Sequence, residues 1–292
     1  VGAPARRPPR HNPPAELPDQ APMTEPTAPP TATAFDPLAS ACVLTQSRLG
    51  LIPPPLDLPW VSRPQSAAQA YAVQDAVVRE RGVIAGWKVG AASPHALPAR
   101  AALSADSVWV AESVQVCDAV RLPASGFAVV GVEAELVYEM GFDLPARAAP
   151  YTAAEVLAAV ASVRAAIEVC DTRYAAWSLQ GEWSKLADQA CHGALIVGSG
   201  TSDVGSVVPL GQAVDLLING AVAVRHPAWS NPAGDPLRLL VWLANEGARS
   251  LGGLRAGHWV KTRSCTGTVL VAPGAEVVAD FPGLGQAVLH LR

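Results

Sequence analysis

The hydrophobic positions change their rhythm along the chain. In residues 66–80, Ser66-Ala-Ala-Gln-Ala-Tyr-Ala-Val-Gln-Asp75-Ala-Val-Val-Arg-Glu80, strong helix formers run without a breaker until Gly82, which predicts a helix. Another helix is expected to start near Asp36-Pro37-Leu38, with a loop holding Pro53-Pro54-Pro55 and Pro59 between the two. From Ile84 the pattern turns to short apolar runs punctuated by glycine, the signature of strands. One long helix is expected to interrupt them: Thr152-Ala-Ala-Glu155 is a capping box, and Val156, Leu157, Val160 and Val163 follow at helical spacing. Asn219-Gly220 between two apolar runs predicts a tight hairpin. Asp235-Pro236 opens a further helix expected to close near Gly252-Gly253. Residues 258–291 read as strands with Pro-Gly turns at 273–274 and 282–283. Helices first, then mainly strands with two helices inserted, predict an α+β fold with a large β core.

Residues 1–37 are rich in Pro, Ala and Thr, with Arg6, Arg7 and Arg10 and almost no large apolar side chains. Such a segment cannot bury enough surface to offset its ordering entropy and is expected to be disordered. Met23 is the first methionine and a candidate start of translation. Residues 38–292 are expected to form a single catalytic domain. Of the 292 residues half are hydrophobic, ample for one large core. Only 16% are charged and the net charge is −4, which speaks against a broad nucleic-acid surface. Five scattered cysteines (Cys42, Cys117, Cys170, Cys191, Cys265) form no CxxC pair, so buried free thiols in a reducing cytoplasm are expected. No apolar run reaches the ~18–20 residues of a membrane span, and no signal-peptide core is visible.

Glu133 and Glu135 sit two apart in an apolar run, where alternation along a strand points them to one face. Glu168, between Ile167 and Val169, is a third acid in apolar company. Clustered carboxylates are costly unless a cation neutralises them, and an oxygen-only set suits Mg²⁺ or Mn²⁺. The plainer alternative is an acidic stripe facing solvent. Lys88, in Gly86-Trp-Lys88-Val-Gly90, either snorkels to water or orients an anionic substrate and takes part in proton transfer. The run Lys261-Thr-Arg263-Ser264-Cys-Thr266-Gly267 offers small hydroxyls for a substrate carboxylate, or makes an ordinary turn. His192 reads as buried and hydrogen-bonded, and Asp171 with Arg173 as a candidate ion pair. No nucleophile elbow, GxGxxG or P-loop is present.

Taken in order, Gly-Trp-Lys88-Val-Gly, Val-Glu133-Ala-Glu135-Leu, Ala-Ile-Glu168-Val-Cys-Asp171, Leu-Ala-Asp188-Gln-Ala, Leu-Arg-Ala-Gly257 and Ser264-Cys-Thr266-Gly267 resemble one family. It is the 2-keto-4-pentenoate hydratase / 4-oxalocrotonate decarboxylase branch of the fumarylacetoacetate hydrolase superfamily. The likeness runs from about residue 38 to the C-terminus. It implies a β-rich α+β roll with an N-terminal helical portion, and a divalent ion on Glu133, Glu135 and Glu168. It places the active-site lysine at Lys88 and its acidic partner at Asp106. Two positions depart from the pattern: Arg263 stands for a glycine, and Gly257-His258 for Gly-Asp. The implied substrates are short 2-hydroxy-2,4-dienoates of aromatic catabolism, with Arg263, Ser264 and Thr266 at the substrate. Hydration is the favoured reaction, with decarboxylation of an oxalocrotonate or a non-catalytic partner subunit as alternatives. Carbon–carbon bond hydrolysis is disfavoured, because His95 has no adjoining acid. A homo-oligomer, and a hydratase–decarboxylase complex, complete the expectations.

Overall fold

Helix α1 (Leu38–Arg48) and helix α2 (Ala67–Arg81) lead the computed structural model, which describes residues 35–111, 115, 118–229 and 231–292. The disorder expected for residues 1–37 and the Met23 start therefore fall almost wholly outside the described residues, while Phe35–Arg292 form one unit. The Ser66 hydroxyl caps α2 by accepting the Gln69 N–H, and Gly82, at φ 100°, ends it. Ala41 and Leu44 of α1 pack on Ala70, Val73 and Val77 of α2, with Tyr174 closing the cluster.

The strands follow in chain order as β1 (Ile84–Gly90), β2 (Ala99–Ser104), β3 (Val108–Val110), β4 (Val120–Leu122), β5 (Gly131–Met140) and β6 (Leu144–Pro145). After the short helix α3 (Ala153–Ala158) comes β7 (Val160–Cys170), and after α4 (Glu182–Ala187) come β8 (His192–Thr201), β9 (Val214–Ile218) and β10 (Ala221–His226). Helix α5 (Pro236–Trp242) precedes β11 (Gly253–Leu254), β12 (Trp259–Lys261), β13 (Val269–Leu270), β14 (Glu276–Phe281) and β15 (Gly285–Leu291). Among the described residues the larger sheet runs β2-β1-β12-β5-β7-β8-β3, with β13 also on β5, and the second runs β10-β9-β14-β15-β4.

Side-chain alternation on β5 and β7 decides what each face does. Leu136, Ile167 and Ile196 point into the space between the sheets and meet Leu216, Val277, Phe281 and Leu289. Glu133, Glu135 and Val137 point the other way. There, Leu103, Val137, Ala166, Leu195, Val197 and Trp259 make an apolar floor. Gly86 on β1 is required by close approach, since a Cβ there would overlap the Trp259 carbonyl of β12.

The α+β architecture matches the pattern-based reading, but two helices are shorter than their patterns suggest. The Thr152 capping box is present, with Thr152 and Glu155 bonded reciprocally, yet α3 stops at Ala158. Val160 and Val163 begin β7, which pairs with β5 from Val160↔Met140 to Cys170↔Gly131. β-branched residues buried on both faces favour that ladder over a helix with nothing to pack on. Helix α5 is likewise shorter than its pattern, continuing as a π turn (Leu243–Gly247) and a 3₁₀ turn (Arg249–Leu251) before Gly252. The hairpin falls as expected, with Asn219 and Gly220 at φ 51° and 76°, the pair of left-handed residues a type I′ turn requires. The cysteines are free but not all buried: Cys42 is exposed, Cys170 and Cys191 are half-buried and Cys265 is buried, while Cys117 lies outside the described residues. No described helix is long and apolar enough to cross a membrane.

Candidate active site

The acids meet because β5 and β7 are antiparallel neighbours in a register that sets Glu133 opposite Glu168. Glu135, two residues along, shares their face and is fully buried. Two lysines complete the cluster. Lys88 on β1 donates to Glu168 Oε1 at 2.9 Å and to the Ala190 carbonyl at 2.9 Å. Lys261 on β12 is buried and donates to Glu135 Oε1 at 2.7 Å and, at closer range, to Glu168 Oε2. Strands β1 and β12 pair in parallel with Lys88 beside Lys261, so both ammonium groups reach the same carboxylates.

His192 at the start of β8 lies beneath. Its Nδ1 is 3.1 Å from Glu168 Oε1 and its Nε2 is 3.2 Å from Ser107 Oγ. Burial pulls its pKa down to about 3, so it is neutral and orients Glu168, the buried and bonded role read from sequence. For Glu168 itself, burial works to raise the pKa, but Lys261, Lys88 and the His192 bond outweigh it and hold the carboxyl well below its ordinary range. Burial dominates at Glu135 and pushes it up to about 8, with Glu168 and Glu133 adding to the rise against Lys261. Glu135 Oε2 is buried without a hydrogen-bond partner. Glu133 is only half-buried and accepts the Thr268 hydroxyl.

Above this cluster two cavities of about 360 and 620 Å³ join, sharing Lys88, Glu133, Glu168, Ala190 and Thr268. The smaller is lined by charged side chains, among them Arg100, Glu135 and Lys261, together with Arg263 and Ser264. The larger is lined by Val129, Trp177, Leu270, Cys170 and Cys191, with Asp171 as a further charged group. Gln189, Ala190 and Cys191 adopt φ of 47°, 50° and 64°, three left-handed residues in succession that aim the Ala190 carbonyl at Lys88. Arg263 is also left-handed, at φ 90°, a conformation glycine adopts without strain. Its guanidinium donates to the Ala91 carbonyl at 2.7 Å.

Of the residues singled out from sequence, Lys88, Glu133, Glu135, Glu168, Arg263 and Ser264 line the cleft. Ser264 Oγ accepts the Thr266 and Gly267 N–H groups at 3.3 and 2.8 Å, shaping the loop. Thr266 instead stitches that loop to β5, its Oγ1 accepting the Ala134 N–H at 3.1 Å, and does not line the cleft. Asp106 is a correction. It sits half-exposed on the turn between β2 and β3, paired with Arg81 of α2, and lines neither cavity. The tight turn sends Asp106 outward and its neighbour Ser107 inward to His192. The sequence reading missed Lys261 and Thr268 as well, and period-2 alternation from Trp259 could have placed Lys261 inward.

Whether the three carboxylates make an ion cradle is decided by their partners. Both oxygens of Glu168 and one of Glu135 already accept from ammonium groups. The ligand-type atoms that converge within 4.8 Å, among the described residues, belong to Glu133, Glu168 and Cys170, without Glu135. Cys170 offers a soft sulfur, which suits a hard cation such as Mg²⁺ poorly. With Lys261 in place the set does not fit a divalent ion.

No protein-family model matches the chain. A 2-keto-4-pentenoate hydratase of Burkholderia vietnamiensis is 29% identical over 224 residues, covering 75% of this chain and 84% of its own length. A 4-oxalocrotonate decarboxylase of a Pseudomonas species is 30% identical over 162 residues, 53% of this chain and 58% of that one. Among solved structures, the 4-oxalocrotonate decarboxylase of Pseudomonas putida G7, complexed with magnesium and adipate, superposes with a TM-score of 0.73 at 25% identity. That match covers 88% of this chain and 97% of the decarboxylase. The same enzyme complexed with calcium and acetate gives 0.72. A fumarylpyruvate hydrolase-type protein from Burkholderia cenocepacia shares the fold alone, at 20% identity and a TM-score of 0.52 over 70% of this chain and 86% of that one. The chain is thus similar in sequence to 2-keto-4-pentenoate hydratases and 4-oxalocrotonate decarboxylases, and it has the fold of the fumarylacetoacetate hydrolase superfamily.

Proposed function

We propose that the chain is a cytoplasmic hydro-lyase that adds water to a short 2-hydroxy-2,4-dienoate of aromatic catabolism, giving a 4-hydroxy-2-oxo acid. The observation that carries this reading is the asymmetry of the cleft: cations and hydroxyls at one end, apolar side chains at the other, and lysine–carboxylate pairs between. A substrate carboxylate suits Arg263 and Ser264, and its C2 oxygen then faces the Lys88 ammonium. As the C2 hydroxyl gives up its proton and C5 gains one, the developing enolate charge is held by that ammonium. The Lys88–Glu168 pair exchanges these protons. Water then adds across the conjugated bond, its oxygen to C4 and a proton to C3. Glu133, bonded to a hydroxyl rather than to an ammonium, is the base nearest the opening. The Mg²⁺ or Mn²⁺ expected on Glu133, Glu135 and Glu168 would supply Lewis acidity, but the Lys261 ammonium already takes an oxygen of Glu135 and one of Glu168.

The larger cavity favours hydration over decarboxylation. The second carboxylate of an oxalocrotonate would meet Asp171 and apolar walls there, with Lys88 as the cation among the lining residues. Exposed apolar side chains at Leu51, Leu56, Trp60 and Val61 support self-association, and a decarboxylase of the same fold is a candidate partner.

Proton NMR of the purified chain with enzymatically generated 2-hydroxypenta-2,4-dienoate, with and without Mg²⁺, tests the reading. Formation of 4-hydroxy-2-oxopentanoate is expected, and Lys88→Met should lower turnover by ~10²-fold or more while the circular dichroism spectrum is unchanged. Unchanged substrate under both conditions would overturn the hydratase; carbon dioxide from an oxalocrotonate would replace it with the decarboxylase.

A further inference from the structure

Lys261 is the feature of the cluster that neither the motif pattern nor the proposed reaction absorbs. Its side chain is 3% exposed, and its ammonium is wedged between Glu135, which is fully buried, and Glu168, at 1%. A buried lysine is expensive, and it persists only where carboxylates face it directly.

The geometry shows what the ammonium excludes. Lys261 takes Glu135 Oε1 and Glu168 Oε2, the oxygens through which those two carboxylates would share a cation. A second cation between them would meet the ammonium there, like charge against like charge in a buried place.

We infer that Lys261 is a tethered cation seated between Glu135 and Glu168 where a divalent ion would otherwise bind, so that the two occupants exclude one another. The inference rests on the cluster being the reaction centre proposed above, not on the identity of the substrate. Its test is Mn²⁺ binding by the chelator-stripped full chain without substrate, followed by calorimetry and by the Mn²⁺ electron paramagnetic resonance signal. Lys261→Met is expected to bind one Mn²⁺ at least about a hundredfold more tightly than the unaltered chain. The gain should vanish in the Lys261→Met, Glu135→Gln double variant. Equal affinity in the two chains, or binding by neither, would overturn the inference. So would tight binding by the unaltered chain, on the order of micromolar or below. If Lys261→Met fails to fold, Lys261→Gln keeps a polar side chain without the charge and carries the same expectation. Because binding is read without turnover, failure here leaves the NMR assay of the reaction untouched, and the reverse.

Discussion

Two buried ionic clusters lie a few residues apart in this molecule and are built to different standards. In the first, Arg173 spends its donors inside the protein: on Asp188, on the Asp188 carbonyl at 3.0 Å and on the His192 carbonyl at 2.6 Å. Asp188 also accepts the Arg173 backbone N–H at 3.0 Å and the Thr172 hydroxyl at 3.3 Å, and Asp171 accepts the Ala128 and Val129 N–H groups at 2.9 and 3.0 Å. The second cluster, Glu133, Glu135, Glu168, Lys88 and Lys261, opens on the cleft and leaves Glu135 Oε2 without a partner. Planar guanidinium geometry saturates the first; point-charge ammonium groups leave capacity in the second. A saturated network rigidifies a fold, whereas an unsaturated one beside a cavity has charge to spend on a ligand.

Breaking the saturated cluster should have the largest effect. Asp188→Ala strands the buried Arg173 charge and is expected to cost about 3–5 kcal/mol of stability, read from urea denaturation. A loss under about 1 kcal/mol would erase the contrast, since it is what a surface pair gives. Arg263→Gly sharpens the comparison from the cleft side. Relieving the left-handed φ should stabilise the fold by about 1 kcal/mol, while loss of the guanidinium raises KM with kcat little changed. An unchanged KM would remove Arg263 from the substrate. The smallest effect lies away from both clusters. His258 Nδ1 accepts the Trp87 indole N–H at 3.2 Å and the Arg255 N–H at 3.0 Å, and burial, helped by Arg255, holds its pKa down to about 4. A folded-state pKa below the unfolded value of ~6.5 means stability is full above that pH and is lost as pH falls toward 4. His258→Asn should flatten the pH 7 to pH 5 fall in urea midpoint; an equal slope in both chains would clear His258 of the role.

How much was legible follows from which interactions are local. Helix α2 was readable because Ser66 and Gly82 bracket it, and the β9–β10 hairpin because Asn219-Gly220 dictates its turn. The end of α3 was not, since Val160 and Val163 suit helix and strand alike until β5 offers a ladder. Asp171 was read beside Arg173, 3.7 Å away in the structure, but the tighter partner, Asp188, comes from the far end of α4.

By itself the sequence determined that Glu133 and Glu135 share a face, that Glu168 and Lys88 belong with them, and that the fold is α+β, because alternation and motif order survive in one dimension. Tertiary structure alone decided that Lys261 sits between Glu135 and Glu168, that Asp106 turns outward while Ser107 turns in, and that Arg263 carries a left-handed backbone. Those outcomes depend on which strand lies beside which and on how a turn rotates, and the sheet order β1-β12-β5-β7 is set by packing across more than a hundred residues of chain.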